Sequence, residues 1–147
     1  MKIFDCFIYN NEDLILDIRL NTLSKYVDKF IIIESNYDHQ NNKKKLNFSI
    51  DKYQKFKKKI IYKIIEKFPD NLSNWGRENF QRNFILEGLN DANDEDFIII
   101  SDVDEIPNLT KLKNLENYKY TVFEQKMFYY KLNLINETNP IWLGSKK

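Results

Sequence analysis

The sequence contains a single cysteine, Cys6, among 147 residues, and this scarcity excludes two kinds of site. Cys6 cannot form a disulfide within the chain, and a cysteine-based metal cluster needs several thiolates. A chain that does without disulfides is typical of a reducing compartment, so we expect a cytoplasmic protein. The longest wholly apolar runs, such as Phe30–Ile33 and Phe97–Ile100, are far too short for a bilayer-spanning helix. We therefore expect no membrane span.

The net charge of the chain is also small. The 23 Lys and Arg residues are balanced by 22 Asp and Glu residues, which leaves a formal net charge of +1. Because such a chain creates no extended positive field, we expect neither nucleic acid nor an anionic membrane among its partners. His39 is the single histidine, so a Ser-His-Asp or Cys-His catalytic arrangement is not predicted. The absence of a GxGxxG or P-loop motif argues against a dinucleotide or Walker-type phosphate site.

Glycine and proline occur three times each, so few points in the chain must break regular structure. The hydrophobic pattern predicts strands at Ile3–Tyr9, Val27–Glu34, Ile60–Ile65 and Phe97–Ile100, and one or two more within Tyr120–Tyr130. It predicts long helices at Glu12–Ser24 and Arg77–Leu89, and short ones between Phe48 and Phe56 and from Pro107 through Leu115. Strands that alternate with helices form a mostly parallel α/β sheet with helices on both faces. We predict this fold, in one domain over residues 1–147.

Burial can be predicted for two groups of apolar residues. The continuous run Phe30–Ile33 indicates a strand that is buried on both faces, and Phe97–Ile100 is predicted as a further buried strand. The aromatic side chains between Tyr118 and Tyr130 are predicted mostly to pack in the core, with an aromatic platform for a sugar ring as the alternative.

The acidic segment after the predicted strand Phe97–Ile100 is the strongest local motif. Asp102 and Asp104 are two residues apart, so in an extended segment their carboxylates project to one side and can converge on one cation. Carboxylate oxygens suit Mg²⁺ or Mn²⁺, which also bind phosphate oxygens. The alternative is an acidic loop that only caps the helix predicted from Pro107.

Two other predicted strands end in polar side chains at the same edge of the sheet, where parallel α/β folds bind ligands. Tyr9 and Asn10 end the first strand, and Glu34 and Asn36 end the second. A carboxylate and an amide at such ends can bind the base and ribose hydroxyls of a nucleotide. The alternative is that these residues merely form turns.

Two of the three arginines, Arg77 and Arg82, lie in the helix predicted before the acidic segment. Either guanidinium can bind a phosphate through two parallel hydrogen bonds. Glu78 and Arg82 are four residues apart, so they can also pair with each other on the helix surface.

Taken together, six collinear segments resemble glycosyltransferase family 17, which includes N-acetylglucosaminyltransferases that act on glycoproteins and many bacterial members. The segments are Asp5–Phe7, Asn11–Leu20, Ile33–Tyr37, Trp75–Asn83, Ile100–Pro107 and Phe123–Tyr130, followed by Trp142-x-Gly144-Ser145. The resemblance implies a GT-A-like nucleotide-binding fold, a UDP-sugar donor such as UDP-GlcNAc, a divalent metal and inversion at the anomeric carbon. Asp102-Val103-Asp104 matches the DxD-type motif of the family.

We therefore expect a metal-dependent, inverting glycosyltransferase that transfers a sugar, N-acetylglucosamine, from a UDP-sugar to a glycan acceptor. Asp104 would hold Mg²⁺ or Mn²⁺, and Asp102 would bind the metal or the ribose. Arg77 or Arg82 would add positive charge at the diphosphate. Either Glu105 or Glu124 is the candidate base for the acceptor hydroxyl.

The chain departs from the family pattern in two ways. It is shorter than a GT-A catalytic domain, so we expect the fold to be incomplete at the C-terminus, where acceptor-side elements would begin. We also expect it to lack the N-terminal membrane anchor that the animal members carry, which favours a bacterial or viral glycan as acceptor. Two alternatives stay open: a truncated, catalytically silent nucleotide-sugar-binding domain, and a DxD phosphohydrolase of the haloacid-dehalogenase kind.

Overall fold

A computed structural model describes residues 1–38, 40–111, 117–128 and 133–143 of the chain. By its internal contacts the chain divides into two compact units, Met1–Asp104 and Glu105–Lys147. The expectation of one domain over residues 1–147 stays a prediction. His39, the end of the helix predicted through Leu115, and Tyr129 and Tyr130 lie outside the described residues.

The first unit contains a four-stranded parallel sheet with helices around it, which confirms the predicted α/β fold. Its elements are β1 (Ile3–Ile8), α1 (Asp13–Leu23), β2 (Lys29–Ser35), β3 (Ile60–Ile65), α2 (Asn74–Asn83) and β4 (Phe97–Ile100), with 3₁₀ helices at Ile50–Phe56 and Phe84–Gly88. The strand order is β3-β2-β1-β4, and each neighbouring pair is parallel. The predicted strands and first helix match these bounds to within two residues.

The side chains of β1 and β2 alternate between the two faces of the sheet, and each face packs on a different helix. Phe4 and Cys6 of β1 lie in a core cluster with Ile31, Ile33, Ile65, Phe68 and Ile85, against which Phe80 and Phe84 of the α2 region pack. Asp5 of β1 points to the other face, where it pairs with Arg19 of α1. The sheet is therefore covered by α1 on one face and by α2 with its 3₁₀ extension on the other.

Strand β4 is less buried than predicted. Only Ile99 of its four residues is buried, and Ile100 is 58% exposed. In the described part of the chain, β4 pairs with β1 alone and so lies at the edge of the sheet. The prediction that Phe97–Ile100 is a buried strand is therefore wrong, whereas burial on both faces is confirmed for Phe30–Ile33 of the interior strand β2.

The second predicted long helix starts three residues earlier than expected, at Asn74, and continues after Asn83 as a 3₁₀ helix. The Ser73 hydroxyl accepts a hydrogen bond from the Gly76 N–H, which caps α2 at its N-terminus. After Asn83 the helix tightens into the 3₁₀ helix Phe84–Gly88. Gly88 there approaches β2 so closely that a Cβ atom would overlap the Ile31 side chain. The 3₁₀ helix therefore packs closely against the sheet at Gly88.

The described residues of the second unit form little regular structure. They include a 3₁₀ helix at Leu109–Lys111 and a short antiparallel pair of β5 (Gln125–Lys126) with β6 (Ile141–Trp142). One strand of the predicted Tyr120–Tyr130 region is thus present, and β6 was missed. Tyr118 and Tyr120 are 65% and 83% exposed, so their predicted core packing is wrong. These two residues belong to no helix or strand that would hold them against an apolar layer.

No helix within the described residues has the length and apolar character needed to cross a bilayer.

Candidate functional site

The sheet reverses its strand order at β1, and a cavity lies at that reversal. The chain runs outward from β1 through β2 to β3 and then crosses back, so that β4 lies on the other side of β1. Ligands of parallel α/β sheets bind beyond the carboxyl ends of the strands at such a point. The cavity has a volume of about 460 Å³, which is typical of small-molecule sites. It is lined by Ile8, Asn10, Glu12, Ile15, Glu78, Arg82, Asp102, Val103 and Asp104.

The turn after β1 carries Asn10 to the cavity. Asn11 has a φ of 99°, a left-handed conformation that asparagine tolerates better than most residues. This conformation turns the chain from β1 towards α1, and the Asn10 backbone N–H donates a hydrogen bond to the Glu12 carboxylate at 2.7 Å. Asn10 and Glu12 therefore both line the cavity. Of these two residues, only Asn10 was predicted to bind a ligand.

Arg82 and Asp102 meet at the cavity as an ion pair. The Arg82 Nη2 atom lies 2.7 Å from Asp102 Oδ1 and 3.5 Å from Glu78 Oε1. The pair of Glu78 with Arg82 that the helix spacing allowed is therefore present, but Asp102 makes the shorter contact. The Arg82 side chain is 19% exposed, and its buried Nε atom finds no hydrogen-bond partner among the described residues. The structure thus brings predicted residues from α2 and from the acidic segment to one place.

The cavity carries an excess of negative charge. Four carboxylates, those of Glu12, Glu78, Asp102 and Asp104, line it together with a single guanidinium, that of Arg82. Because like charges close together repel each other, this set favours a bound cation. It also opposes a bare diphosphate, whose own negative charge would add to the excess.

The acidic set suits a cation that arrives with its own ligands. Among the described residues no group of three or more histidine, cysteine, aspartate or glutamate side chains is placed to hold a metal ion. Mg²⁺ is commonly bound by one or two carboxylates together with substrate phosphates and water. Asp104, which is exposed, and Asp102, whose side chain is 44% exposed, fit such a site.

Sequence reasoning missed Arg19, which is fully buried beside the acidic segment. Its guanidinium donates to both carboxylate oxygens of Asp5, at 2.8 and 2.6 Å. It also donates to the backbone carbonyls of Asp102 and Val103, at 2.7 and 3.1 Å, and to the Ser101 hydroxyl at 2.7 Å. A signal was present: Asp5 interrupts an apolar strand, and Arg19 lies among the leucines on the apolar face of α1.

Glu34, predicted to bind a nucleotide, does not line this cavity. It is fully buried, and its carboxylate accepts hydrogen bonds from the Tyr62 hydroxyl at 2.7 Å and from the Asn47 and Phe48 backbone N–H groups at 2.7 and 3.1 Å. Lys44 Nζ lies 3.3 Å away. In this structure Glu34 ties residues 44–48 to β2, and its contact with a nucleotide stays a prediction.

Tyr9 also lies apart from the cavity. Its ring is 1% exposed and packs edge-on against Phe48, while its hydroxyl donates a 2.5 Å hydrogen bond to Asp13. Burial raises the pKa of the Tyr9 hydroxyl, and the hydrogen bond to Asp13 acts in the same direction. These contacts give Tyr9 a packing role; its predicted role in nucleotide binding stays untested.

Arg77 lines a different cavity from Arg82. The second cavity has a volume of about 150 Å³ and is lined by Tyr37, Asn41, Lys67, Phe68, Pro69, Asp70, Asn71 and Arg77. The Arg77 guanidinium donates to the Leu72 carbonyl at 2.5 Å and to the Asn74 side chain at 2.6 Å. Asn36 lines neither cavity; its backbone N–H donates to Ile65. The two predicted phosphate-binding arginines are therefore separated by the fold.

The predicted bases, Glu105 and Glu124, belong to the second unit. Glu105 is 8% exposed and accepts a hydrogen bond from the Trp142 indole N–H. Glu124 is exposed. A role as base stays a prediction for both.

Comparison with known proteins identifies the family. The model of glycosyltransferase family 17 matches residues 1–137. The Homo sapiens β-1,4-mannosyl-glycoprotein 4-β-N-acetylglucosaminyltransferase is 26% identical over 116 residues, which covers 72% of this chain and 22% of the human protein. The proteins of the same name from Rattus norvegicus and Mus musculus are 26% and 25% identical over 116 residues.

The matched segment thus corresponds to 22% of the length of these curated relatives. No solved structure matches the chain. Because the family match extends over most of the sequence, from residue 1 to residue 137, the chain belongs to glycosyltransferase family 17.

Proposed function

We propose that this chain binds the sugar-nucleotide donor of a metal-dependent, inverting glycosyltransferase with a GT-A-like fold. The observation that carries the proposal is the cavity at the strand-order reversal, where Asn10, Arg82, Asp102 and Asp104 meet. The name of the curated relatives supports N-acetylglucosamine as the sugar and a mannosyl glycan as the acceptor. The donor that we propose is a UDP-sugar, as the resemblance to the family implies.

The excess of carboxylates in the cavity supports metal dependence. A diphosphate entering alone would meet four carboxylates and one guanidinium, whereas a diphosphate with Mg²⁺ or Mn²⁺ brings the charge that the carboxylates favour. We assign the metal to Asp104 and Asp102. When bound, the cation would neutralise charge on the diphosphate and on the departing UDP.

The chain's own residues supply the remaining parts of the site. Arg82 adds positive charge beside Asp102, and Asn10 offers an amide to donor hydroxyls. In the transfer, the acceptor oxygen would bond to the anomeric carbon while the bond from that carbon to the diphosphate oxygen breaks. The acceptor proton would pass to a carboxylate. Besides the predicted Glu105 and Glu124, the cavity itself offers Glu12 and Glu78 as candidates.

Calorimetry with UDP tests the proposal directly. We expect binding in Mn²⁺ and a large loss of affinity in EDTA. Asp104→Asn should remove the metal-dependent part, because an amide keeps the size of the side chain and loses its charge. Asp94→Asn is a matched control, because Asp94 is an exposed aspartate outside the cavity, in the loop that precedes β4. Equal UDP affinity in Mn²⁺ and EDTA would overturn the metal assignment.

A second measurement separates transfer from donor binding alone. A catalytically silent donor-binding domain stays an alternative, because the match covers 22% of the human relative. We expect the chain by itself to bind UDP-GlcNAc and to hydrolyse it slowly at best. Efficient transfer to a defined glycan by residues 1–147 would favour a complete enzyme. The family match supports glycosyl transfer over the phosphohydrolase alternative.

A further inference from the structure

We propose that Arg19 is a positioning residue for residues 101–104, the segment called here the acidic loop. Held by Asp5, Arg19 fixes the backbone of this loop so that the carboxylates of Asp102 and Asp104 stay at the cavity. The consequence for ligand binding rests on the proposed function, but the hold on the loop does not.

The guanidinium of Arg19 joins three parts of the first unit. It is carried by α1, two of its hydrogen bonds go to Asp5 on β1, and three go to the acidic loop. A guanidinium has five N–H donors in a rigid, planar arrangement, so its bonds to Asp5 set the direction of those to the loop. The loop acceptors are the two carbonyls of Asp102 and Val103 and the hydroxyl of Ser101.

The carbonyls that Arg19 binds belong to the peptide groups within the Asp102-Val103-Asp104 motif. Fixing these two peptide planes limits the backbone angles of Asp102, Val103 and Asp104, and thereby the directions in which their Cα–Cβ bonds point. Residues 101–104 form no helix or strand, and the loop leaves the sheet at Ser101, whose N–H donates a hydrogen bond to the Cys6 carbonyl at 3.3 Å. Beyond that bond, Arg19 donates two hydrogen bonds to the loop backbone, at the carbonyls of Asp102 and Val103.

The loop is held from both faces of the sheet. Arg19 of α1 binds its backbone, and Arg82 of the opposite helix, α2, binds the Asp102 side chain at 2.7 Å. Arg19 lies behind the loop and does not line the cavity, whereas Arg82 does. The two arginines therefore have different roles. Arg19 orients the acidic loop, and Arg82 contributes positive charge to the cavity.

A buried ion pair is a poor source of stability, which makes a positioning role the better explanation of this one. Both side chains are 0% exposed, so both charges have lost their hydration. The attraction between buried charges often no more than offsets that loss, and apolar replacement of such a pair is frequently neutral or stabilising. The Arg19 guanidinium also lies 4.6 Å from the centre of the Phe7 ring, so apolar neighbours are available for a replacement to pack on.

The test uses a variant designed to keep the fold while removing the hold on the loop. The double substitution Asp5→Leu with Arg19→Met replaces both charges by apolar side chains. Arg19→Lys keeps the charge opposite Asp5 and loses the planar set of donors. Lys59→Met is the matched control, because Lys59 Nζ donates to the Ser24 and Val27 carbonyls, at 2.7 and 2.6 Å, in a different loop of the same unit.

Two measurements are made on the folded proteins. NMR order parameters of the ligand-free chain report the rigidity of residues 101–104, and calorimetry reports the affinity for UDP in Mn²⁺. We expect both Arg19 variants to lower the loop order parameters and to bind UDP about 10- to 100-fold more weakly, as found when groups that orient metal ligands are removed. We expect Lys59→Met to change neither.

Unchanged loop order parameters in folded Arg19 variants would overturn the proposal, and so would unchanged UDP affinity despite a mobile loop. If the double variant does not fold, Arg19→Lys and Ser101→Ala decide by the same two measurements. If the unsubstituted chain does not bind UDP in Mn²⁺, the proposed function fails. The order parameters then still decide whether Arg19 holds the loop.

Discussion

Arg82 and Asp102 lie twenty residues apart in the sequence, and the fold joins them in a 2.7 Å ion pair. The pair lies at the wall of the cavity at the strand-order reversal, called here the main cavity because it holds the proposed donor site. The pair links α2 to the acidic segment after β4, two parts of the chain that sequence reasoning had assigned separately to phosphate and metal. It also means that the Asp102 carboxylate already has a cationic partner before any ligand is bound. A bound metal would therefore share Asp102 with Arg82, and Asp104 would be the more available ligand.

Substitution of the two arginines distinguishes their roles. Arg82→Met should weaken donor binding at least about tenfold, since a charge-assisted contact contributes roughly 1.5–3 kcal/mol. Its effect on the free energy of unfolding should be small, about 1 kcal/mol or less, because Asp102 is partly exposed and solvent screens the pair. Arg77→Met should leave donor affinity unchanged, because Arg77 lines the other cavity. Calorimetry and urea unfolding measure both quantities. The reverse order of affinities would assign the diphosphate to the second cavity.

Glu34→Gln should destabilise the chain without affecting the main cavity. The buried carboxylate accepts hydrogen bonds from the Tyr62 hydroxyl and from two backbone N–H groups, and an amide presents a donor where one of these needs an acceptor. An unsatisfied buried group costs about 1–3 kcal/mol. Urea unfolding should show this loss, and UDP affinity should be unchanged. A large loss of affinity at unchanged stability would instead support the predicted contact of Glu34 with the nucleotide.

Gly88→Ala should destabilise the first unit through overpacking. A Cβ atom at position 88 would overlap the Ile31 side chain, which is fully buried in the central strand β2. Extra volume in a well-packed core costs about 1–3 kcal/mol. Gly76→Ala is the control, because a Cβ there would meet Leu72 and Ser73 side-chain atoms at 3.3 Å, a tight contact that a small shift relieves. Thermal unfolding should show the larger loss for position 88.

Asp13 should contribute to the acid sensitivity of the fold. Hydrogen bonds from Lys52 and then from Tyr9 hold the pKa of the Asp13 carboxyl below its ordinary value of 3.8. Because the pKa is lower in the folded chain than in the unfolded one, the ionised carboxylate stabilises the fold above pH 3.8, and this contribution is lost as the pH falls through the folded value.

The Asp13→Asn variant tests this pH dependence. We expect its urea midpoint to fall less steeply than that of the unsubstituted chain between about pH 4 and pH 2. Asp17→Asn, a change at an exposed aspartate on the same helix, is the control. Parallel curves for the Asp13 variant and the unsubstituted chain would remove Asp13 from the account of acid unfolding.

The local pattern of apolar and polar residues was sufficient to predict the strands and the first helix of the first unit. It was also sufficient to predict that the acidic motif follows β4. The apolar runs at β1, β2, β3 and β4 and the leucine spacing of α1 depend on residues close in the sequence, and periodicity reports them directly. The alternation of strands and helices then implied a parallel sheet, and the carboxyl end of β4 implied where Asp102 and Asp104 would lie. The main cavity is found at that end, with Asn10 and Arg82 also at its wall.

Tertiary structure alone decided the partners of the buried charged side chains Arg19 and Glu34. Arg19 was one basic residue among 23 until the fold placed it between Asp5 and the acidic loop. Glu34 has the chemistry of a ribose ligand, yet the fold surrounds it with donors from residues 44–62. A charge removed from water must find its partner wherever the chain brings one, and those partners here lie between 10 and 84 residues away in the sequence. Local periodicity cannot report pairings over such separations, because they depend on how the strands are ordered in the sheet.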